Sequence, residues 1–257
     1  MVKDGPELAK RAANFRPLTP IDFLYRAASM WPEKTAIVDG KREITYAKFL
    51  ERCRRLASAL EQRGVKRGDT VAILAANCPA LLEAHFAVPM IGAVLNPINI
   101  RLDARAISFC LEHGEAKVFL ADRGFAETIS PAIGQMDEAP HVIDVADPEQ
   151  PDLAAIGGEE YEAVLETGDP TFNKTGPEDE WDSICLLYTS GTTGDTTGVV
   201  YSHRGAYLTA LSNMQSFEID HRTKYLWTLP MFHCSGWTLT WAVTAAAATH
   251  VCLRKVE

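Results

Sequence analysis

Hydrophobic and polar positions follow two periods along this chain, and the changes of period mark its elements. Phe49, Cys53, Leu56, Ala57 and Leu60 recur at helical spacing, and Gly64 stands where a helix needs a left-handed stop, so an amphipathic helix is predicted up to that point. Val71-Ala-Ile-Leu-Ala75 is an apolar run of strand length. Asn77 then reads as the cap of a helix with Pro79 in its first turn, running toward Gly92. A strand at Ala93-Val-Leu95 leads into a turn at Asn96-Pro97, a reading that makes the stretch from Gly92 to Leu102 structural rather than substrate-binding. Asp103 caps a helix through Ile107 and Leu111 that stops at Gly114, and Lys117-Val-Phe-Leu120 and Val142-Ile-Asp-Val145 are strands. Strands separated by helices of this length predict an α/β fold, with mostly parallel sheets and crossover helices.

Composition narrows the setting. Of the 257 residues 47% are hydrophobic and 23% charged, enough for a sizeable core in one large domain or two smaller ones. The net charge of -9 argues against a surface built for nucleic acid or anionic lipid. That charge is uneven: from Asp137 to Asp182 fifteen acidic residues face one lysine, so this stretch carries -14 and the rest of the chain +5. With its prolines and glycines, the stretch at about 137–183 is predicted to be a solvated connection holding one short helix near Tyr161 to Glu166. The six cysteines lie far apart, without zinc spacing, and read as buried hydrophobes in a reducing compartment. The amino terminus lacks the pattern of a secretory signal, which makes a cytoplasmic location the expectation. Trp237 to Leu253, the most apolar run, contains four threonines and His250, and suits a buried helix entering a strand better than a membrane segment.

The candidate chemistry follows the strand Ile184-Cys-Leu-Leu187. Tyr188-Thr-Ser-Gly-Thr-Thr-Gly-Asp-Thr-Thr-Gly198 combines glycines, which let backbone amides approach a ligand, with hydroxyls that donate hydrogen bonds without charge. Such a loop can wrap a phosphate, because consecutive N–H groups make a concave positive nest. It lacks the lysine and helix entry of the common phosphate loop, and Val199-Val200 favours a strand, so the loop would close a hairpin. His203, where that strand meets the next helix, is assigned a structural hydrogen bond.

Tyr188-Thr-Ser-Gly-Thr-Thr-Gly194, with Gly198-Val199 and Ser202-His203-Arg204, resembles the phosphate-loop signature of the adenylate-forming superfamily of acyl-CoA synthetases, luciferases and peptide-synthetase adenylation domains. Gly92-Ala-Val-Leu-Asn-Pro-Ile-Asn-Ile-Arg-Leu102 and Pro230-Met-Phe-His-Cys-Ser-Gly-Trp237 are similar to the acyl-CoA synthetase branch, nearest to its medium-chain and 3-methylmercaptopropionyl-CoA ligases. The resemblance covers the whole chain and implies the amino-terminal part of an AMP-binding domain over residues 1–257. It implies an AMP-forming ligase of a fatty or related carboxylic acid, with ATP, Mg²⁺ and coenzyme A as cosubstrates and no nucleic-acid partner. By the same resemblance Thr189, Ser190, Gly191, Thr192, Thr193 and Gly194 surround the β- and γ-phosphates, while His233 and Trp237 line the acyl end of the site.

Two departures qualify it. Where relatives carry Pro-Lys before the closing glycine, this chain has Thr196 and Thr197 preceded by Asp195, which removes a charge-assisted phosphate contact of about 1.5–3 kcal/mol. The family's later Tyr-Gly-x-Thr-Glu stretch, ribose-binding Asp and catalytic Lys of a mobile carboxyl-terminal domain have no match up to Glu257, so residues 1–257 by themselves are expected not to turn over. That leaves no catalytic or metal-ligating residue assigned. An amino-acid-activating adenylation domain and a non-catalytic nucleotide-binding scaffold are the alternatives.

Overall fold

A computed structural model describes residues 5–174, 176–190 and 196–255. Seven strands form one sheet: β3 (Thr70–Leu74), β4 (Val94–Pro97), β5 (Ala116–Asp122), β6 (His141–Val145), β7 (Glu159–Glu160), β8 (Ser183–Ser190) and β9 (Thr196–Ser202). Their order is β7-β6-β5-β3-β4-β8-β9, parallel throughout except that β9 returns antiparallel on β8. Four others, β1 (Thr35–Asp39), β2 (Arg42–Thr45), β10 (Lys224–Leu226) and β11 (Thr249–Cys252), form a second sheet in the order β10-β11-β1-β2.

Helices cover the sheets as the crossover pattern requires. The helix α1 (Ile21–Met30), α2 (Tyr46–Gln62) and α3 (Pro79–Met90) precede α4 (Ala104–His113), α5 (Ala126–Gly134) and α6 (Tyr161–Thr167), and α7 (His203–Ser216) follows the hairpin. Two short elements, α8 (Cys234–Trp237) and α9 (Leu239–Ala245), come last. Every residue of α3 is buried, as expected of a helix apolar all round. A main core joins α1, α2, α3 and α9 around Phe49, Phe86, Trp227 and Trp241, and a second one under α4 and α5 gathers Phe119, Ile107 and Ile129. No described helix is long and apolar enough to cross a membrane, and Trp237 to Leu253 supplies α9 and β11.

Three expectations are corrected. Cys78, not Asn77, occupies the cap of α3 and offers no side-chain bond there, because the Asn77 amide is engaged across the molecule. Asn96 and Pro97 end strand β4 rather than forming a turn. Pro97 brings no donor to the ladder, but Ile98 N donates to Ile73 O at 2.8 Å, so pairing continues past it. The acidic stretch holds the expected strand and short helix, as β6 and α6, and adds β7, but it is not solvated throughout: several of its carboxylates are drawn onto arginines, Glu162 to Arg52 at 2.7 Å, Glu159 to Arg63 at 2.7 Å, and Asp182 to Arg67 at 2.7 Å. The +5 carried by the rest of the chain is the counterpart of these charges.

Candidate active site

β8 and β9 bring the hydroxyl-rich motif to the edge of the large sheet. Their ladder runs from Cys185–Tyr201 to Thr189–Thr197 and Ser190–Thr196, so the expected hairpin is present. The Thr189 side chain is exposed beside the hairpin's end. Gly191, Thr192, Thr193 and Gly194 of the expected phosphate site, and Asp195, lie outside the described residues. Below Thr189 the strand is anchored by Tyr188, whose hydroxyl lies 2.9 Å from His113 Nδ1 and whose ring meets Phe109 edge-on. Gly114 is needed there, since a Cβ would sit 2.7 Å from Cys110 O and 3.2 Å from the Tyr188 hydroxyl. His203 makes a buried structural contact, 2.9 Å from Thr19 Oγ1, and burial pulls its pKa down to about 4.

His233 and Trp237 are both exposed, on either side of one tight turn. They do not share a cavity. His233 meets Thr189, Tyr188, Asn99 and Leu102 around a hollow of about 120 Å³. Trp237 stands over a larger cavity of about 630 Å³ with Val200, Tyr201, Ala206 and Thr209. Cys234 borders both and is thus the hinge between them. The larger space is of the size that takes a small molecule, and its walls are mostly apolar with a few hydroxyls. Burial pushes Tyr188 up to about 12, and burial with the Cys234 contact does the same for Tyr201, so both present neutral hydroxyls at neutral pH.

The turn itself is unusual. From Cys234 to Thr238 all five residues have positive φ, between 49° and 61°, which makes α8 a left-handed turn. For residues with a Cβ this costs about 1–2 kcal/mol each, so neighbouring contacts must hold it. Gly236 rests on Trp227, where a Cβ would lie 2.6 Å from Cζ3 of the ring. A hydrogen-bonded chain supports it from beneath. Trp227 Nε1 donates to His250 Nδ1 at 3.1 Å, which leaves the other ring nitrogen protonated to donate to Thr244 Oγ1 at 3.0 Å. Thr244 Oγ1 donates to Thr240 O at 3.0 Å, and Thr240 Oγ1 to Ser235 O at 3.1 Å inside the turn. Burial, with His85 adding to it, lowers the His250 pKa to about 3, so the ring stays neutral and the chain keeps its direction.

Sequence reasoning named Thr189 and His233, which the structure brings together. It missed Tyr188, Cys234, Asn99 and Leu102. The last two sit in the stretch from Gly92 to Leu102 assigned to structure alone, though its similarity to relatives was a usable signal. Among the described residues no group of three or more His, Cys, Asp or Glu is placed to hold a metal ion.

Comparison with known proteins supplies the family. Residues 24–257 match the AMP-binding enzyme family. An acetate–CoA ligase of Humulus lupulus is 46% identical, over 99% of this chain and 47% of its own length. A butyrate–CoA ligase of Arabidopsis thaliana, described as peroxisomal, is 44% identical over 95% of this chain and 44% of its own. The chain thus spans about half the length of the curated relatives it matches. Among solved structures, a long-chain-fatty-acid CoA ligase of Archaeoglobus fulgidus superposes with a TM-score of 0.81 at 21% identity, over 95% of this chain and 48% of that one, a likeness of fold. With a matching family spanning nearly all of the sequence, the two-sheet body and its hydroxyl-rich hairpin are accounted for: the chain belongs to the AMP-binding enzyme family.

Proposed function

We propose that this chain supplies the ATP- and acid-binding part of an AMP-forming carboxylic acid:CoA ligase. The observation that carries the reading is the meeting of Thr189, at the base of the hydroxyl-rich hairpin, with His233 on one hollow that adjoins an apolar cavity across Cys234. In the proposed first step a carboxylate oxygen attacks the α-phosphorus of ATP and pyrophosphate leaves. In the second the thiolate of coenzyme A attacks the acyl carbonyl and AMP leaves. Both join anionic partners, so orientation and hydrogen-bond donors carry most of the acceleration. The Thr189 hydroxyl would donate to phosphate oxygens. Tyr201, Ala206 and Trp237 would enclose the hydrocarbon of the acid, with His233 beside its carboxylate at the junction. A divalent cation is expected from the family to neutralise the polyphosphate; the described residues hold no group of three or more His, Cys, Asp or Glu for it, and no step here passes through it. A cytoplasmic location is part of the proposal, supported by six cysteines that are all free.

Acid-dependent exchange of pyrophosphate into ATP tests the reading with short- and medium-chain acids. In residues 1–257 completed by the carboxyl-terminal half of a relative, exchange is expected, and His233→Ala should raise the KM for the acid at least tenfold with ATP affinity changed less than twofold. ATP binding without acid-dependent exchange, by calorimetry, would favour the non-catalytic scaffold, and absence of both overturns the assignment.

A further inference from the structure

We propose that Asn77 is a positioning residue for the turn that carries His233 and Trp237. The inference deepens the function proposed above, and only its kinetic arm rests on that reading. Asn77 lies just past the carboxyl end of β3, 8% exposed, and lines neither of the two cavities. Its side chain reaches the opposite segment. Asn77 Nδ2 donates to Trp227 O at 2.9 Å and to Leu229 O at 2.9 Å, and its Oδ1 accepts from Met231 N at 2.8 Å. Both amide hydrogens and the oxygen are therefore used, all on five consecutive residues that end two positions before His233.

The backbone explains why a side chain is needed. At Trp227 the chain still bonds to the sheet, through Trp227 N to Val251 O at 2.9 Å, and then it leaves β10. Beyond it come one bond of Thr228 N to Leu226 O at 2.9 Å and then His233 N to Pro230 O at 3.2 Å, and no strand ladder among the described residues pairs the carbonyls of Trp227 and Leu229 or the amide of Met231. Asn77 stands in for that ladder. It acts on the turn by two routes. Met231 sets where the backbone enters His233, and Trp227 carries the ring on which Gly236 rests. A carboxylate of the same shape could accept from Met231 but would set an oxygen against two carbonyls. Only the amide satisfies all three partners.

The test pairs amide hydrogen exchange with kinetics on Asn77→Ala and the isosteric Asn77→Asp. Exchange across residues 227–238 is expected to quicken at least tenfold in both variants, with the peptides of β5 and α4 unchanged. In the chain completed by a relative's carboxyl-terminal half, given ATP, acid and coenzyme A, the KM for the acid should rise at least tenfold while that for ATP stays within twofold. Unchanged exchange at 227–238 would overturn the inference. So would a uniform rise through β3, β5 and α4 with a lowered melting temperature, or equal changes in both KM values, since either marks a merely structural residue. If the completed chain without substitution shows no acid-dependent turnover, the functional reading fails, and the exchange experiment on residues 1–257 still decides the role of Asn77.

Discussion

Two irregular regions of this molecule are held in place by opposite means. The acidic stretch is fastened by charge: Glu159, Glu162 and Asp182 reach arginines on α2 and the turn after it. The segment from Trp227 to Thr238 is fastened by neutral groups, the amide of Asn77 and the chain through His250 and two threonines. The difference matches what each region borders. Charge serves on a surface, where water lowers the cost of an imperfect pair. Beside the mostly apolar cavity under Trp237 a fixed charge would have to be desolvated, and hydrogen bonds orient a backbone without one.

The comparison is sharpest where the charged fastening turns inward. Arg52 meets Glu83 through two bonds, of 2.6 and 3.2 Å, and Glu162 through two more, of 2.7 and 2.8 Å, while Tyr161 donates to Glu83 at 2.5 Å. Burial opposes the charge on Arg52, and the two carboxylates outweigh it, so its pKa is raised. Glu83 is wholly buried. Glu83→Ala leaves the guanidinium with only the half-exposed Glu162, and a loss of about 3–5 kcal/mol is expected in urea unfolding. The joint replacement Arg52→Met with Glu83→Leu should lose much less, since packed apolar groups can replace a buried pair. A loss under about 1 kcal/mol for the single change would erase the distinction between inward and outward pairs.

What is legible in the sequence divides along the same line. The crossover body was legible because each element carries its own local signal: Phe49 to Leu60 repeats at helical spacing, Asp103 accepts from Ala106 N as a cap should, and Val71 to Ala75 is apolar throughout. The hairpin was legible for the same local reason, whereas His203, though expected to make a structural hydrogen bond, finds its partner Thr19 184 positions away. The acidic stretch misled because its partners lie about a hundred positions away, as with Glu162 and Arg52, and pairing at that range leaves no period. Asn77 misled because a cap and a cross-molecule clamp ask for the same residue type. The left-handed turn left one trace, Gly236, and nothing in Cys234, Ser235, Trp237 or Thr238 announces positive φ.

The neutral fastening has its own weakness, which is acid. His250 is buried and its pKa falls from 6.5 to about 3, so below pH 6.5 the unfolded chain binds a proton that the folded one refuses. Its contribution is complete above pH 6.5 and is lost as the pH falls toward 3, by about 1.4 kcal/mol per pH unit. His85 and His203, both lowered to about 4, share that window, so the test is a difference. His250→Gln offers an acceptor for Trp227 and a donor for Thr244 without titrating. Between pH 7 and pH 5 the melting temperature of the unaltered chain should drop by about 5 °C more than that of the variant. Parallel curves would mean that the proton on His250 is accommodated and the chain beneath the turn is not its point of failure.

The smallest effect is expected at the outermost charge pair. Arg63 donates to Glu159 through two bonds, of 2.9 and 2.7 Å, and His141 Nε2 lies 2.7 Å from the same carboxylate. The Arg63 hydrogen bond, with that of His141, holds the Glu159 pKa down to about 2, so the pair's contribution is present above pH 4.5 and fades as the pH falls toward 2. Glu159 is nearly half exposed, however, and water and ions discount the whole arrangement. Arg63→Ala should therefore cost under about 1 kcal/mol at low salt and less at 0.5 M, measured by urea unfolding at pH 7. Glu83→Ala, whose pair is shut away from counterions, should show the same loss at both salt concentrations. A salt-independent loss at Arg63 would place that pair with the inward one and leave α6 and β7 fastened by something other than surface charge.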